Sequence, residues 1–297
     1  MAFWRVAVNE SDRWATGSVE MGPVELLPDD VSLDLLLDGE SWHQLSATRG
    51  TLLKEAHELL PPIEGQEVWA AGVTYIESRY AREDESSRPD IYEAVYNSAR
   101  PEIFLKAAPN TAVGSGAAVG IRLDSPWNVP EPELALAVDA HARIVAYTIG
   151  NDVSSRTIEG ENPLFLPQAK IYDASCSLGP CLVPVEEAPP LDDMTVDVVI
   201  NRDDSSLWEG SFSVGMLKRK PEELVDYLFM ARTFDRGVIL LTGTGVVPPP
   251  DVTLQQGDSV IIRITGLGEL KNTVKVVGRT WPAVKSASHH ASNELQS

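Results

Sequence analysis

Between Leu134 and Ile149 the chain runs apolar, turn-like, apolar: Leu134 to Val138, then Asp139 to Arg143 with His141 in the middle, then Ile144 to Ile149. Two short apolar runs joined by a few polar residues read as a β-hairpin, because a helix would need a longer run with a 3.6-residue period. A hairpin fixes register, and register decides which side chains meet. Glu131 and Glu133 lie two apart just before the first strand, so on an extended chain both carboxylates face the same way. If the turn centres near His141 and Ala142, Asp152 falls opposite Glu131. Three carboxylates then converge at the open end of one hairpin. Acids crowded between apolar walls cannot all stay ionised without a cation. An all-oxygen set selects Mg²⁺, Mn²⁺ or Ca²⁺ over zinc. Asp and Glu make up 44 of 297 residues, so Glu-x-Glu alone would signal no more than a solvated strand face. The third acid, at the register-matched position, lifts the pattern above that background.

The rest of the chain supplies the frame. Phe3 to Val8, Gly17 to Leu27 and Val31 to Leu37 have strand character, and Ser46 to Leu60 reads as a helix with Leu52, Leu53, Ala56 and Leu59 on one face. Pro61-Pro62 ends that helix and makes a linker, which sets off residues 1–64 as a small N-terminal α/β domain. Residues 65–282 form the larger, metal-binding domain, and the Ser-, His- and Asn-containing tail, 283–297, is expected to be disordered. Residues 78–90 are densely charged and read either as an exposed loop or as a lid over a site. Ile91 to Ala99 follows as a short helix. From residue 100 onward strands dominate: Ile103 to Leu105, Met194 to Ile200, Leu207 to Val214, Val238 to Leu241, Ser259 to Ile264 and Thr273 to Val277. Pro221 to Arg232 is the one clear helix there, with Pro in its first turn and Glu222 and Glu223 complementing the helix dipole. Many short strands and few helices predict an α+β, β-rich fold, a roll, barrel or sandwich, and disfavour a doubly wound sheet.

Composition narrows the partners. A formal net charge of −20 argues against nucleic acid, whose phosphates need a basic patch. An anionic substrate must therefore be captured locally, by a metal, Lys or Arg. Such acidity keeps a protein soluble and is compatible with a salt-rich cytoplasm. No apolar run approaches the roughly 18 residues of a membrane span. The first residues, Met1-Ala-Phe-Trp-Arg5, lack a signal-peptide layout, so a cytoplasmic location is expected. Cys176 and Cys181 have the wrong spacing for zinc and read as small buried residues flanking a Gly179-Pro180 turn. Gly114-Ser-Gly116 followed by Gly120 misses dinucleotide-loop spacing, and the five histidines offer no nucleophile triad.

The stretch from Val68 to Val277 resembles the fumarylacetoacetate hydrolase superfamily. The residues that carry the resemblance are Glu131-x-Glu133, Asn151-Asp152-Val-Ser154, Gln168-Ala-Lys170, Leu241-Thr-Gly-Thr244 and Gly257-Asp258. Gly72-Val-Thr-Tyr75, Arg100-Pro-Glu102-Ile-Phe104 and the segment 161–172 look like its branch of 2-keto-3-deoxy sugar-acid dehydratases. The resemblance implies a mixed β-roll catalytic domain, a small N-terminal domain and a homodimer or homotetramer. It makes Glu131, Glu133 and Asp152 ligands of Mg²⁺, assigns Lys170 and Glu102 to chemistry, and gives the substrate carboxylate to Thr244, with Arg79 and Tyr75 as further contacts. One departure is informative. Carbon–carbon hydrolases of the superfamily carry a water-activating His at the position of Ser78, so a hydrolase would lack its base here.

The activity implied is dehydration of 2-keto-3-deoxy-D-pentonate to 2,5-dioxopentanoate. D-arabinonate and D-xylonate lead to this same acid, because they differ only at C2 and C3, which become a ketone and a methylene. Lys170, with its pKa lowered by the metal's charge, would take the C3 proton, and Glu102 would protonate the departing C4 hydroxyl. The bland alternative for Lys170 is a surface ion pair. Rival functions are an acylpyruvate-type hydrolase or an oxaloacetate decarboxylase on the same scaffold, and a non-catalytic sensor of 2-oxo acids.

Overall fold

A computed structural model describes residues 1–37, 45, 50–53, 58–85 and 88–280. The hairpin is its centre. Pro132–Val138 pairs antiparallel with Ile144–Asp152 in the expected register, Pro132 opposite Asn151 and Leu134 opposite Ile149. The turn is tied by Asp139, whose carboxylate oxygen Oδ1 accepts the backbone N–H groups of His141 and Arg143, both at 2.8 Å. Every residue of Pro132–Val138 is buried, which requires both faces of the strand to be covered. On one face Leu134, Leu136 and Val138 join a core with Val196, Val198 and Ile262. On the other, Ala135 and Ala137 join a core with Phe3, Trp14, Leu33 and Leu36.

Among the described residues the hairpin lies in an eleven-stranded mixed sheet. Outward from Ile144–Asp152 come Cys176–Pro184, Ala2–Val8, Ser11–Ser18, Gly22–Leu26 and Thr51–Leu52, with Glu58–Leu59 pairing off that path against Ala2–Val8. Outward from Pro132–Val138 come Val238–Leu241, Val68–Gly72 and Glu102–Ala107. The two ends of this order do not pair, so the sheet stays open and is not a barrel. A five-stranded sheet, built from Ser205–Ser213, Thr195–Arg202, Ser259–Ile264, Gly268–Val277 and Ala118–Arg122, supplies the second layer. The N-terminal strands join the large sheet at its edge, through Phe3 opposite Leu182. No described helix is long and apolar enough to cross a membrane.

Several local expectations are corrected. Leu33–Leu37 is a helix, not a strand: Leu33, Leu36 and Leu37 are buried at helical spacing and Asp34 sits in the first turn. The helix expected over 46–60 falls partly on 46–49 and 54–57, outside the described residues. Its described parts are strands, Thr51–Leu52 against Gly22–Leu26 and Glu58–Leu59 against Ala2–Val8. Partners far away in sequence override the local helical pattern there. Residues Ile76–Glu85, expected as part of a charged loop, form a helix. Glu, Arg and Ala are good helix formers whatever their charge, Arg79 pairs with Glu83 one turn on, and Ser78 and Arg82 share a buried face. Gly179-Pro180 is not a turn but lies inside Cys176–Pro184, beside a shift of register against Tyr147 and Ile149. Cys176 and Cys181 are free and buried. The tail 283–297 lies outside the described residues.

Candidate metal centre and active site

Strand direction gathers the site. Val68–Gly72 and Val238–Leu241 run parallel, while Glu102–Ala107 and Pro132–Val138 run against them. The starts of the latter two strands therefore meet the ends of the former two, together with the end of Ile144–Asp152. Glu102, Glu133, Asp152, Gly72 and the Thr242-Gly-Thr244 segment are delivered to one end of the sheet. The backbone N–H of Asp152 donates to Glu131 O at 2.9 Å, which extends the hairpin register to the acid pair. Beyond Asp152, Ser154–Ser155 pairs with Asn128–Val129. The chain then turns into helices Arg156–Glu161 and Leu166–Lys170, the second of which carries Lys170 back over the carboxylates.

Glu131, Glu133 and Asp152 are all buried, and one oxygen from each lies within 4.8 Å of the others. Burial alone would raise Glu131, but Arg82, then Lys170 and Arg156, outweigh it and hold its carboxyl well below the usual range. Arg82 donates to both its oxygens, at 3.0 and 3.2 Å, and Lys170 Nζ donates to Oε1 at 2.9 Å. Glu133 goes the other way. Burial, then the charges of Asp152 and Glu131, push it well above the carboxylate range. Its carboxylate accepts the backbone N–H of Gly243, which reaches it because Gly243 has φ +92° and packs where a side chain would strike Thr74. Three acids this close, with burial and then its two neighbours driving Glu133 toward its neutral form, are a set that a hard dication would relieve, and oxygen-only donors suit Mg²⁺, Mn²⁺ or Ca²⁺.

Lys170 is buried, not a surface ion pair. Its Nζ donates to Glu131, to Asp152 at 3.1 Å and to Ser154 Oγ at 2.6 Å. Burial disfavours its ammonium, yet Asp152 and then Glu131 outweigh that and hold it above the ordinary lysine range. The lowered pKa expected for it is thus not what the protein's own side chains impose. Glu102 lies on the wall of the same pocket. Burial, then the charge of Glu159, pushes it up to about 7. Gly72 leaves it room, since a Cβ there would collide with its carboxylate. Thr244 and Ser78 also line the pocket, the hydroxyl of Ser78 being turned to Tyr75 O at 2.8 Å.

The other two expected contacts lie elsewhere. Arg79 is not among the lining residues; it pairs with Glu83 and sits over the rings of Tyr80 and Tyr96. Tyr75 is buried behind the wall, edge-on to Phe212 with ring centres 5.1 Å apart.

Four charged residues were not foreseen. Arg82, one helical turn after Arg79, bridges Glu131 and Glu159. Arg156 approaches Glu131 at 3.5 Å. Lys106, fully buried, forms an ion pair with Asp152 and donates to Lys170 O at 2.6 Å. Lys106 had a sequence signal, because Glu102, Phe104 and Lys106 alternate onto one face of a strand. Arg82 and Glu159 had none, since their roles depend on how two helices dock. The space left between these groups is about 20 Å³, room for a water or an ion.

A fumarylacetoacetate hydrolase C-terminal domain matches residues 68–275. A probable 2-keto-3-deoxyxylonate dehydratase of Haloferax volcanii is 47% identical over 216 residues, which are 73% of this chain and 74% of that protein. The 2-dehydro-3-deoxy-D-arabinonate dehydratase of Saccharolobus solfataricus is 42% identical over 218 residues, 72% and 73% of the two chains. Among solved structures, a 2-keto-3-deoxy-D-arabinonate dehydratase complexed with magnesium and 2,5-dioxopentanoate superposes with a TM-score of 0.82 at 32% identity, covering 94% of this chain and 100% of that one.

Proposed function

The chain belongs to the fumarylacetoacetate hydrolase family, and on that premise we propose that it is a magnesium-dependent dehydratase converting 2-keto-3-deoxy-D-pentonate to 2,5-dioxopentanoate. The observation that carries the reading is Glu102, a half-buried residue whose carboxyl is raised to about 7, on the same pocket wall as Lys170 and the three carboxylates. Relatives at 42% and 47% identity are named as a dehydratase and a probable dehydratase of this class of acid, and a structural relative was solved with 2,5-dioxopentanoate. Ser78, where hydrolases of the family keep a histidine, disfavours the hydrolase alternative.

Glu131, Glu133 and Asp152 would hold the magnesium ion, which when bound would supply a Lewis acid for a 2-oxo acid and a positive charge that favours the neutral amine of Lys170. Lys170 then removes a C3 proton, with Ser154 Oγ and the carboxylates fixing the direction of its amine. Glu102 gives its proton to the C4 hydroxyl, which leaves as water and creates a C3=C4 bond. Loss of a C5 proton and protonation at C3 move that bond to C4=C5, and the resulting enol becomes the C5 aldehyde. Thr244 contacts the substrate carboxylate, and Arg82 takes the role expected of Arg79. Admitting a five-carbon acid into a 20 Å³ space requires movement, and the Ile76–Glu85 helix, held to the site through Arg82, is the element that withdraws. Residues 65–282 carry the chemistry and 1–64 the smaller unit of a cytoplasmic homodimer or homotetramer, whose mass light scattering would give.

Incubating the purified protein with Mg²⁺ and a panel of 2-oxo acids, with products followed by NMR, tests the reading. Formation of 2,5-dioxopentanoate from the deoxypentonate is expected. Turnover of oxaloacetate or an acylpyruvate in its place would replace the reading, and no turnover at all would leave the sensor.

A further inference from the structure

Buried charge has to be balanced or it is not tolerated, and the balance of this pocket is specific. Its five acids (Glu102, Glu131, Glu133, Asp152 and Glu159) meet four buried cations, Arg82, Lys106, Arg156 and Lys170. With the three metal ligands and Glu159 ionised and a single proton shared between Lys170 and Glu102, one dication leaves a single positive charge in excess, which one substrate carboxylate cancels. The count is the same whether the mobile proton sits on Lys170 or on Glu102.

The surplus acid is Glu159. It lies outside the metal triad, on helix Arg156–Glu161, 4% exposed, with its carboxylate on the guanidinium of Arg82. The other side of that guanidinium is on Glu131. Glu159 also lines the same pocket as Glu102, and its charge is the strongest one that raises it. The end of the pocket at Glu102 is therefore walled by two acids, and its arginine is held between carboxylates of the protein. A neutral hydroxyl is accepted there, whereas a carboxylate would be buried beside like charges.

We propose that Glu159 sets the substrate class: by neutralising Arg82 it reserves the site for 2-oxo acids with one carboxylate and excludes those carrying a second carboxylate beyond C3. The inference rests on the dehydratase reading only in placing C4 at Glu102. Replacing Glu159 by Gln removes one negative charge and leaves the balance closed by a dicarboxylate instead.

Two stable probes of similar shape, 2-oxoglutarate and 5-methyl-2-oxohexanoate, differ by one charge and isolate the effect. Calorimetry on the magnesium-loaded protein should show the monocarboxylate binding roughly tenfold or more tighter, as expected for a like charge a few ångströms away at intermediate dielectric. Glu159→Gln should shrink that preference by roughly tenfold or reverse it, while Glu159→Asp, which keeps the charge, should retain it. Wild-type dissociation constants within twofold of each other, binding of neither probe, or equal weakening of both by Glu159→Gln would overturn the proposal. The wild-type ratio needs no variant, so a poorly folding mutant does not rescue the idea. A protein that shows the preference yet never dehydrates the deoxypentonate would refute the dehydratase reading alone.

Discussion

The two ends of the central hairpin both carry buried acids, and they teach different things. At the turn, Asp139 is 2% exposed, and its oxygens are occupied by two backbone N–H groups and by Arg143 Nε at 2.6 Å. At the open end, one oxygen from each of Glu131, Glu133 and Asp152 lies within 4.8 Å of the others, and burial and then the other two charges push Glu133 well above the carboxylate range. The turn also borders a roomier cavity, about 270 Å³, that includes Asp34, Asp235, His141 and Arg236, yet no three metal-binding groups converge there among the described residues. Neither the number of acids nor the size of a cavity marks the site. What marks it is carboxylates that satisfy one another badly, because that leaves work for a cation and a substrate to do.

Removing the metal is the largest test of that contrast. EDTA should abolish turnover and Mg²⁺ or Mn²⁺ should restore it, with metal content checked by elemental analysis; activity in verified metal-free protein would end the assignment. Glu133→Gln should weaken Mg²⁺ binding strongly in a calorimetric titration and leave the circular dichroism spectrum unchanged.

Next come Lys170 and Glu102, which should fail at different steps. Lys170→Met should lose turnover by about 10²–10⁴-fold, the typical contribution of a positioned base, and also lose exchange of C3 protons with D₂O. Glu102→Gln should lose turnover but keep the exchange. Exchange that survives in the Lys170 variant and vanishes in the Glu102 variant would reverse their roles.

A pH profile sharpens the same point. Glu102 must be protonated to donate, and its carboxyl sits at about 7, so the acid form is full below that pH and empties above it. With Lys170 already neutral in the metal-loaded enzyme, the rate should therefore fall as pH rises through about 7, by about tenfold per unit well above it, and Glu102→Gln should erase that limb. A wild-type rate still climbing at pH 9 would contradict the assignment.

At the turn end the expected effect is on stability. Asp139→Ala should cost about 1–3 kcal/mol, for the loss of part-buried hydrogen bonds from His141 and Arg143, measured by urea unfolding, with Mg²⁺ affinity unchanged. A large loss of metal affinity instead would mean that the two ends are not independent. The smallest effect concerns the whole surface: with a net charge of −20, KCl should hold or raise the melting temperature by screening self-repulsion. A steady fall with KCl would count against it.

Much of this was legible in the chain. The hairpin, its register and the convergence of Glu131, Glu133 and Asp152 followed from period-two spacing and a short turn, which are local and rigid. Strands such as Val238–Leu241 and Ser259–Ile264 were bounded correctly for the same reason. Local pattern failed where distant partners decide, as at Thr51–Leu52 and Glu58–Leu59, and where dense charge was read as a loop, as over the helix Ile76–Glu85. The resemblance named Arg79 as a substrate contact, and the docking of one helix lays Arg82, one turn on, against Glu131. Sequence by itself determined which carboxylates meet, because strand geometry ties neighbours in sequence to neighbours on one face. Only the tertiary structure decided which cations answer them. Arg82, Lys106 and Arg156 come from separate elements, and the charge balance of a buried site is a sum over everything that folds around it.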